Sequence, residues 1–488
     1  MRAADADRSI PYAGSGVLRV LDDVDVLVCG GGVSGIAAAV AAARSGARTL
    51  VVERAGYLGG TATGSLMGLI TTPFAELTGF PAEFFGYLAE KGSAGRGLVV
   101  PWDVEAYKVA AEQFVLKAGA DILYHTWISD TILAGDVLKA VVVENKSGRH
   151  AIAAKVVIDA TGDGDIAARA GVPVVKGREE DGAMRPATVM GLVGNVNLRR
   201  MKEWIDTHRS DVAGDPGRCV VDLQAGILRI DGFFSIVDEA RRRGLLSADV
   251  PVNYLRFNAT FEPGQQEHAL VTLNSTRIYD LDGTDARQIS RAETEGRRQL
   301  QQLMTVCKVL LPGFENSMLV QSSSFLGVRE TRRIRGQYVL TYADIAAGRQ
   351  FEDSVAVLTH TNYGTAEVHG PERGHEGSKD DRWAREMIMD LIHFEFPLRS
   401  MLMDQCRNLI AAGRCVSVTH DADKYTRNMS PAGQLGQAAG TYAGLLARHG
   451  LEARNSLVQT LQDRLEADGL ATKLRPSPHD RIAPPSQA

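Results

Sequence analysis

The 488-residue sequence lacks several features that would narrow its function at once. It has five cysteines and no C-x-x-C pair, which argues against a zinc site, an iron–sulfur cluster and a disulfide framework, so we predict no metal centre. Its net charge of -5 provides no basic field that would attract nucleic acid. It has no apolar core of a signal peptide near Met1, and its apolar stretch from Val24 to Val52 is interrupted by glycines, arginines and Asp25. We therefore expect a cytoplasmic protein without nucleic-acid or membrane partners.

Glycine, by contrast, is abundant. The 50 glycines make up about 10% of the chain, against an average near 7%. Hydrophobic residues account for 44% and charged residues for 23%, which is typical of a globular protein with a large core. Without collagen-like periodicity, the excess predicts tight turns where the backbone approaches another group closely.

The first glycine cluster lies between a predicted strand and a predicted helix. The run VDVLVC reads as a buried strand, GGGVSG follows it, and IAAAVAAARSG continues as a helix. The pattern Gly30-x-Gly32-x-x-Gly35 in this position is typical of a dinucleotide-binding turn, in which the helix N-terminus meets the pyrophosphate. Glu53 ends the next strand, where its carboxylate could accept hydrogen bonds from a ribose and would disfavour a 2′-phosphate.

Three further glycine segments follow the first. They are GGTATG after Glu53, ATGDG after the strand AAKVVID, and AGR followed by SPAGQLGQAAG near the C-terminus. The second has an alternative interpretation, because Gly162-x-Gly164-x-x-Ala167 could be a separate fingerprint for a nicotinamide dinucleotide.

The strand and helix rhythm divides the chain. The alternating βαβ pattern runs from residue 24 to 190, is lost over residues 191–394, and resumes with the buried run Asn408 to Ala412. We therefore predict an α/β fold: a Rossmann-like domain split between residues 24–190 and 395–450, with an inserted α+β substrate domain at 191–394. Residues 1–23 are predicted as an N-terminal extension, and residues 451–488 as a C-terminal helix and flexible tail.

These motifs together resemble a known family. DVLVCGGGVSGIAAA, GGTATG, VVIDATGDGDIAARAG, RRIRGQYVLT and NLIAAGRCVS with SPAGQLGQAAGTYAG, in this order and spacing, resemble the FAD-dependent oxidoreductase family, a branch of the superfamily that includes the succinate dehydrogenase and fumarate reductase flavoproteins. The resemblance extends from Val24 to about Gly450 and implies that the dinucleotide is FAD. No histidine stands in a family-like context for covalent attachment, so we expect noncovalent FAD.

The resemblance also implies which residues hold the cofactor. Gly436 and Gln437 would direct N–H groups at the pyrimidine edge of the flavin, where a helix N-terminus stabilises negative charge by roughly 0.3 to 2 kcal/mol. An alternative is that Gly436, Gly440 and Gly444 only allow close helix packing. The predicted cofactor-binding residues are Gly30, Gly32, Gly35, Glu53, Arg54, Gly60, Thr61, Thr161, Gly162, Gly413, Arg414, Gly436 and Gln437.

Candidate catalytic residues come from polar segments outside these motifs. Histidine can exchange a proton near neutral pH, and THTNYGTAEVHGPERGHEG contains several, while arginine can bind an anionic group through two hydrogen bonds. The candidates are His369, His360, Arg335, Arg427 and Tyr425.

The predicted function is two-electron hydride transfer between flavin N5 and a small organic substrate, by dehydrogenation at a C–O, C–N or C–C bond. An NAD(P)H-dependent flavin reductase and a flavoprotein with a non-redox role are the alternatives. Reoxidation of the flavin would fall to an electron acceptor that is oxygen, a quinone, a diffusible carrier or a second substrate.

Overall fold

Two β-sheets organise the chain, one assembled from distant segments and one from a single stretch. The computed structural model describes residues 17–212, 219–223, 227–260, 266–361 and 391–474. The helices in these ranges are α1 (Val33–Arg44), α2 (Gly79–Glu90), α3 (Val104–Lys117), α4 (Asp165–Arg169), α5 (Leu198–Thr207), α6 (Phe234–Arg242), α7 (Ala286–Leu310), α8 (Tyr342–Ala346), α9 (His420–Thr426), α10 (Met429–His449) and α11 (Val458–Ala467). The strands are β1 (Val20–Cys29), β2 (Thr49–Val52), β3 (Leu69–Ile70), β4 (Val100–Pro101), β5 (Asp121–Leu123), β6 (Trp127–Ala134), β7 (Val137–Asn145), β8 (Gly148–Asp159), β9 (Val174–Lys176), β10 (Gly191–Val196), β11 (Cys219–Asp222), β12 (Ile227–Gly232), β13 (Leu255–Thr260), β14 (Ala269–Leu273), β15 (Met318–Ser322), β16 (Arg332–Ile334), β17 (Ser354–Thr361), β18 (Leu391–Pro397) and β19 (Leu409–Ala411).

The first sheet contains the βαβ unit predicted near the N-terminus. Strand β1 begins at Val20, earlier than the predicted run, and its residues from Val26 to Cys29 are fully buried. It lies parallel between β2 and β8, with Val26 opposite Thr49 on one side and Val156 on the other. Strands of this kind are covered on both faces, which explains the continuous apolar run. The strand order is β5-β2-β1-β8-β7-β6, with β19 also paired to β8.

The C-terminal part of the chain completes this sheet. Strand β19 lies parallel to β8, with Leu409 opposite Val157. Helix α10 then packs directly on α1, and a Cβ built on Gly440 would lie only 2.1 Å from the carbonyl oxygen of Ala38. The fold is therefore α/β, with a Rossmann-like parallel core that is assembled from both ends of the chain.

The second sheet is antiparallel and has the strand order β11-β12-β13-β14-β10-β15. One face of it is apolar. Leu228, Ile230, Phe257 and Leu273 alternate along β12, β13 and β14 and pack in one core that also contains Leu303 of α7. Because side chains alternate across a strand, the residues between them point to the opposite face.

The apolar cores show how the two sheets divide the chain. Phe351 and residues of β17 and β18, such as Val355 and Phe394, pack in the same core as Val26 of β1, whereas the core of the second sheet is separate. The long helix α7 belongs with the second sheet. The domain boundaries given above stay predictions, and helix α11 lies within the predicted C-terminal segment.

Membrane-spanning helices and metal-binding groups are absent from the described residues, and four of the cysteines are free thiols. In the described ranges, no helix is both long enough and apolar enough to cross a membrane. Within the same ranges, no group of three histidine, cysteine or acidic side chains is arranged to hold a metal ion. Cys29, Cys307, Cys406 and Cys415 are buried free thiols.

Candidate functional site

The glycine turn between β1 and α1 borders a cleft. Gly30 has a φ of +101°, and a Cβ there would lie 2.6 Å from the carbonyl oxygen of Ala160. A Cβ at Gly35 would lie 1.9 Å from the carbonyl oxygen of Gly30, so a side chain would prevent α1 from starting this close to β1. Gly32 precedes α1 and supplies no side-chain cap for its first N–H groups. Gly30 and Gly32 line the cleft, so the helix N-terminus borders it, in the arrangement that binds phosphates.

Glu53 lies beside this turn and is only 9% exposed. Its Oε2 accepts a hydrogen bond from the N–H of Gly31 at 2.7 Å, and its Oε1 accepts one from the N–H of Ala55 at 2.8 Å. A carboxylate has about four lone-pair positions, so these two bonds leave capacity for a ribose hydroxyl. Glu53 also lines the cleft, which is the position its predicted role requires.

The segment after Glu53 forms the next part of the wall. Arg54, Gly60 and Thr61 line the cleft. Gly60 has a φ of +55°, and a Cβ there would lie 3.0 Å from the Cα of Gly32, so this loop passes close to the first turn. The guanidinium of Arg54 lies between two aromatic rings, 5.4 Å from the centroid of Trp127 and 5.3 Å from that of Phe325. Cation–π contacts of this kind fix the orientation of the guanidinium group.

The second glycine segment reaches the cleft through Thr161 and Gly162. Behind it, the fully buried Asp159 accepts hydrogen bonds from the N–H groups of Ile166 at 3.0 Å and Ala167 at 2.9 Å, and from the hydroxyl of Thr161 at 2.7 Å. Burial raises the pKa of the Asp159 carboxyl. Its oxygens already occupy the N-terminus of α4, where a pyrophosphate would have to bind. The structure therefore weighs against the alternative of a second, nicotinamide-binding fingerprint here.

The segment after β19 contributes Arg414 to the wall of the same part of the cleft. Gly413 has a φ of +78°, and a Cβ there would lie 2.6 Å from Oγ of Ser34 in α1. The next residue, Arg414, lines the cleft and donates hydrogen bonds to Oδ1 of Asp163 at 2.5 Å and to Oγ1 of Thr331 at 3.1 Å. Gly413, like Gly35, is not among the described residues that line the cleft; it allows this segment to pass close to α1, while Arg414 places a positive charge in the cleft wall.

Helix α10 borders the cleft at its first turn. Asn428, which precedes the helix, and Met429 and Ala432 within it line the cleft. No side-chain hydrogen bond from Asn428 caps the first N–H groups of α10. A second helix N-terminus therefore borders the cleft, beside that of α1, because the two helices run in the same direction with Gly436 against Ser34 and Gly440 against Ala38.

This geometry corrects the prediction for Gly436 and Gln437. They lie about 10 and about 12 Å further along the helix axis than Met429, since each residue adds about 1.5 Å. A Cβ at Gly436 would lie 2.1 Å from the carbonyl oxygen of Ser34, and Oε1 of Gln437 accepts a hydrogen bond from the N–H of Phe80 at 2.7 Å. Neither is among the described residues that line the cleft. The alternative of close helix packing accounts for Gly436, and the part of α10 that lines the cleft is its first turn.

Two of the catalytic candidates are histidines. His369 lies outside the described residues. His360 is fully buried, and its Nδ1 lies 2.9 Å from the carbonyl oxygen of Thr361, while its Nε2 contacts the side-chain amide of Asn428. Burial lowers the pKa of His360 to about 4. It is neutral at physiological pH and does not line the cleft, although it contacts Asn428, which does.

The other three candidates occupy different environments. Arg335 is exposed, and its described contact is a backbone hydrogen bond from its N–H to the carbonyl of Pro173 at 2.8 Å. Tyr425 is fully buried and stacks on Tyr342, with ring centroids 5.7 Å apart. Neither lines the cleft in the part of the chain that the structure describes, which corrects their assignment as groups that touch substrate. Arg427 does line the cleft.

Comparison with known proteins identifies the family. The family model for FAD dependent oxidoreductases matches residues 25–465 of the chain. The protein belongs to the FAD-dependent oxidoreductase family. It is 35% identical over 153 residues to thiamine thiazole synthase from Methanococcus vannielii, covering 29% of this chain and 57% of that protein. It is 32% identical over 112 residues to the acrylate reductase flavoprotein subunit from Shewanella woodyi, covering 22% of each.

The chain thus spans little more than half the length of the first of these relatives and less of the second. Among solved structures, it is similar to a geranylgeranyl bacteriochlorophyll reductase-like protein from Thermoplasma acidophilum, with 14% identity, a TM-score of 0.43, and coverage of 92% of this chain and 84% of that one. It is also similar to the flavin-dependent brominase Bmp2, with 10% identity, a TM-score of 0.45, and coverage of 91% and 84%.

The cleft has the donor set that FAD requires. Two helix N-termini without side-chain caps border it, at Gly32 and Asn428, and suit a pyrophosphate and the pyrimidine edge of a flavin. Glu53 offers acceptors for a ribose, and Arg414 offers a cation. A Cβ at Gly30, or one at Gly60, would meet backbone atoms within 3.0 Å. The residues present therefore fit the cofactor that defines the family.

Sequence reasoning missed the residues at the inner end of the cleft. Arg229, Arg256, Asn258 and Asn274 line it from the second sheet, and Lys424 lines it from α9. The signal was present in the strand LRFNAT, where Arg256 and Asn258 alternate with apolar residues although both are buried. Polar residues at alternate positions of a buried strand indicate a polar cavity on one face of the sheet.

A buried ionic cluster lies behind Arg427. The carboxylate of Asp423 is 3.2 Å from Nη1 of Arg185 and 3.7 Å from Nε of Arg427. Arg185 also contacts Glu330 at 3.2 Å, and Nδ1 of His420 lies 2.8 Å from the same carboxylate. Burial alone would raise the pKa of Glu330, but its hydrogen bond with His420 and the nearby arginine charges hold the pKa below its usual value. Burial and the charge of Glu330 raise the pKa of Asp423. The cluster fixes the base of α9, the helix that carries Lys424 and precedes Arg427.

Proposed function

We propose that this FAD-dependent oxidoreductase transfers a hydride between flavin N5 and a small organic substrate held at the inner end of the cleft. The observation that carries the proposal is the continuity of the cleft. It runs from the glycine turns of the dinucleotide site, past the N-terminus of α10, to the buried polar face of the second sheet. A substrate in this inner end would lie next to the region where the resemblance places the flavin ring.

Bound FAD supplies a two-electron carrier, and the residues of the chain must position the substrate and control its proton. Arg427 and Lys424 add positive charges to the lining of the cleft, and Asn258 and Asn274 add amide groups to it. The N-terminus of α10 favours negative charge at the same end. These groups favour a reaction in which negative charge develops on the substrate or on the cofactor.

The dehydrogenase reading is preferred to direct use of a nicotinamide because Asp159 occupies the N-terminus of α4. The relation to the succinate dehydrogenase and fumarate reductase flavoproteins is likewise a proposal, supported by the match to the acrylate reductase subunit. We also propose noncovalent FAD, a small-molecule substrate and a cytoplasmic location, the last supported by cysteine usage that includes no C-x-x-C pair.

The test is anaerobic reduction of the purified FAD-loaded protein. Candidate organic substrates and NADH are each mixed with the protein, and bleaching of the flavin absorbance is followed by stopped flow. We expect bleaching by an organic substrate and slow or no bleaching by NADH. Rapid stoichiometric bleaching by NADH alone would favour the flavin reductase, and full turnover with a redox-inactive deazaflavin analogue would favour a non-redox role.

A matched pair of arginine variants tests the position of the reaction. Arg427 lines the cleft, whereas Arg335 is exposed and outside it. Arg427→Met should slow substrate-dependent bleaching at least tenfold with FAD still bound, and Arg335→Met should leave the rate unchanged. Equal rates in the two variants would place the reaction elsewhere.

A further inference from the structure

Two buried arginines on neighbouring strands line the inner end of the cleft. Arg229 on β12 is 5% exposed and Arg256 on β13 is 8% exposed, and both line the cleft. In the antiparallel register, Arg229 stands opposite Asn258 and Arg256 stands opposite Asp231. Burying a guanidinium group costs several kcal/mol unless it is paired, so two such groups beside one cavity indicate a specific use.

The arginines are held in fixed orientations by their neighbours. Asp231 accepts two hydrogen bonds from Arg256, at 2.7 Å from Nε and 3.1 Å from Nη2, and its Oδ2 lies 3.6 Å from Nη2 of Arg229. The hydroxyl of Tyr254 accepts hydrogen bonds from Arg256 and Arg277, both at 3.1 Å. Groups that are already oriented lose little entropy when a ligand binds. Asp231 and Tyr254 are therefore positioning residues for this pair.

The charges that line the cleft are distributed unevenly. Among the described residues that line it, the acidic ones are Glu53 and Asp163. Both lie at the dinucleotide end, where Glu53 bonds to Gly31 and Asp163 bonds to Arg414. At the inner end, the charged lining residues from the second sheet, from α9 and from the residue that follows α9 are Arg229, Arg256, Lys424 and Arg427, and all four are cationic. Arg329, which contacts the carbonyl oxygen of Pro186, is a further cationic residue of the lining. The field at this end therefore favours an anion.

We propose that the inner end of the cleft is a carboxylate subsite, in which Arg229 and Arg256 bind the carboxylate of an organic-acid substrate and Lys424 and Arg427, which line the same cleft, add positive charge. The planar guanidinium fork matches the two oxygens of a carboxylate, which distinguishes it from a lysine-only site. The amide side chains of Asn258 and Asn274 add neutral donors and acceptors beside it. This inference rests on the proposed function, because it names the class of substrate for the same site.

The direct test is ligand binding to the FAD-loaded protein, measured by calorimetry and by perturbation of the flavin absorbance. The probes are two matched pairs, succinate against succinamide and benzoate against benzamide, with inorganic phosphate as a tetrahedral anion. We expect at least one carboxylate to bind at least tenfold more tightly than its amide and more tightly than phosphate. Equal binding of acid and amide would overturn the proposal, and preferential binding of phosphate would replace it with a phosphate subsite.

Variants assign the binding to the arginines. Arg229→Gln should weaken carboxylate binding at least tenfold while FAD content stays unchanged, and Arg256→Lys, which keeps a charge next to Asp231, should weaken it by less. Arg243→Gln is the matched control, since Arg243 is an exposed arginine of the same domain that pairs with Glu239. Unchanged affinity in both Arg229→Gln and Arg256→Lys would overturn the assignment. If one of these two proteins does not fold, the other decides it.

The failures of the two proposals are distinguishable. Tight carboxylate binding without flavin bleaching by any organic substrate would remove the proposed dehydrogenation and leave the subsite. Flavin bleaching by neutral substrates, with no preference for acids over amides, would remove the subsite and leave the dehydrogenation.

Discussion

Packing between α1 and α10 gives the sharpest stability prediction. A Cβ on Gly436 would lie 2.1 Å from the carbonyl oxygen of Ser34, whereas ordinary contact begins at 3.4 Å. Gly436→Ala therefore requires a separation of the helices of about 1.3 Å between these atoms, and the obstructing atoms are backbone, which cannot rotate away. Overpacking of this kind costs about 1–3 kcal/mol, while replacing a helical glycine by alanine gains about 1 kcal/mol.

Gly86 provides the matched control because it also lies within a helix, α2, but a Cβ there would meet no atom within 4 Å. Gly86→Ala should be stabilising by about 1 kcal/mol. Gly436→Ala should be less stable than Gly86→Ala by about 1–3 kcal/mol or more, and Gly440→Ala, with the same 2.1 Å contact, should behave like Gly436→Ala. The measurement is urea unfolding of the three variants, combined with FAD titration. Equal midpoints for Gly436→Ala and Gly86→Ala would refute the packing argument.

Three further predictions concern the cofactor site and pH. Glu53→Gln replaces one acceptor oxygen by a donor beside the N–H groups of Gly31 and Ala55, so FAD affinity measured by fluorescence titration should fall about 5- to 100-fold; unchanged affinity would contradict this role. Gly30→Ala must place a Cβ 2.6 Å from a carbonyl oxygen at a φ of +101°, so the protein should purify without FAD, and a fully loaded variant would disprove the requirement for glycine. The pKa of His360 is about 4 when folded and near 6.5 when unfolded, so the unfolded state binds more protons between these values. Stability should thus fall by up to about 1.4 kcal/mol per pH unit from this group as the pH drops from 6.5 to 4, and His360→Gln should show a shallower dependence in urea unfolding at pH 7 and pH 5.

The dinucleotide site was predictable because its constraints are local. Gly30 and Gly35 are each required by a close approach between residues of the βαβ unit, whereas a Cβ at Gly32 would meet only the Cα of Gly60, at 4.0 Å. Glu53 follows from the end of the next strand, which lies parallel to β1. Short-range geometry of this kind is specified by sequence spacing, since the turn, the helix start and the strand end leave few arrangements.

The inner end of the cleft was harder to predict because it depends on long-range pairing. Arg229 and Arg256 are adjacent only through the antiparallel register of β12 and β13, and Lys424, which lines the same cleft, belongs to a helix almost 170 residues further along the chain. His360 shows the reverse case: it belongs to a segment of suggestive composition, but β17 buries its side chain completely. Composition marks residue types, whereas exposure to the cleft depends on which face of a strand the residue occupies.

The acidic residues near the cleft are placed differently at its two ends. At the dinucleotide end, Glu53 and Asp163 are bonded to backbone and to Arg414, so the wall contains charges of both signs. At the inner end, the carboxylates of Asp231 and Asp423 stand behind the cationic residues of the wall rather than in it. An acid placed behind a guanidinium orients it while leaving the positive charge toward the cavity. The second sheet and α9 thus place oriented cations in the lining of the proposed substrate site, and α1 and α10 of the parallel core place helix N-termini at the proposed cofactor site.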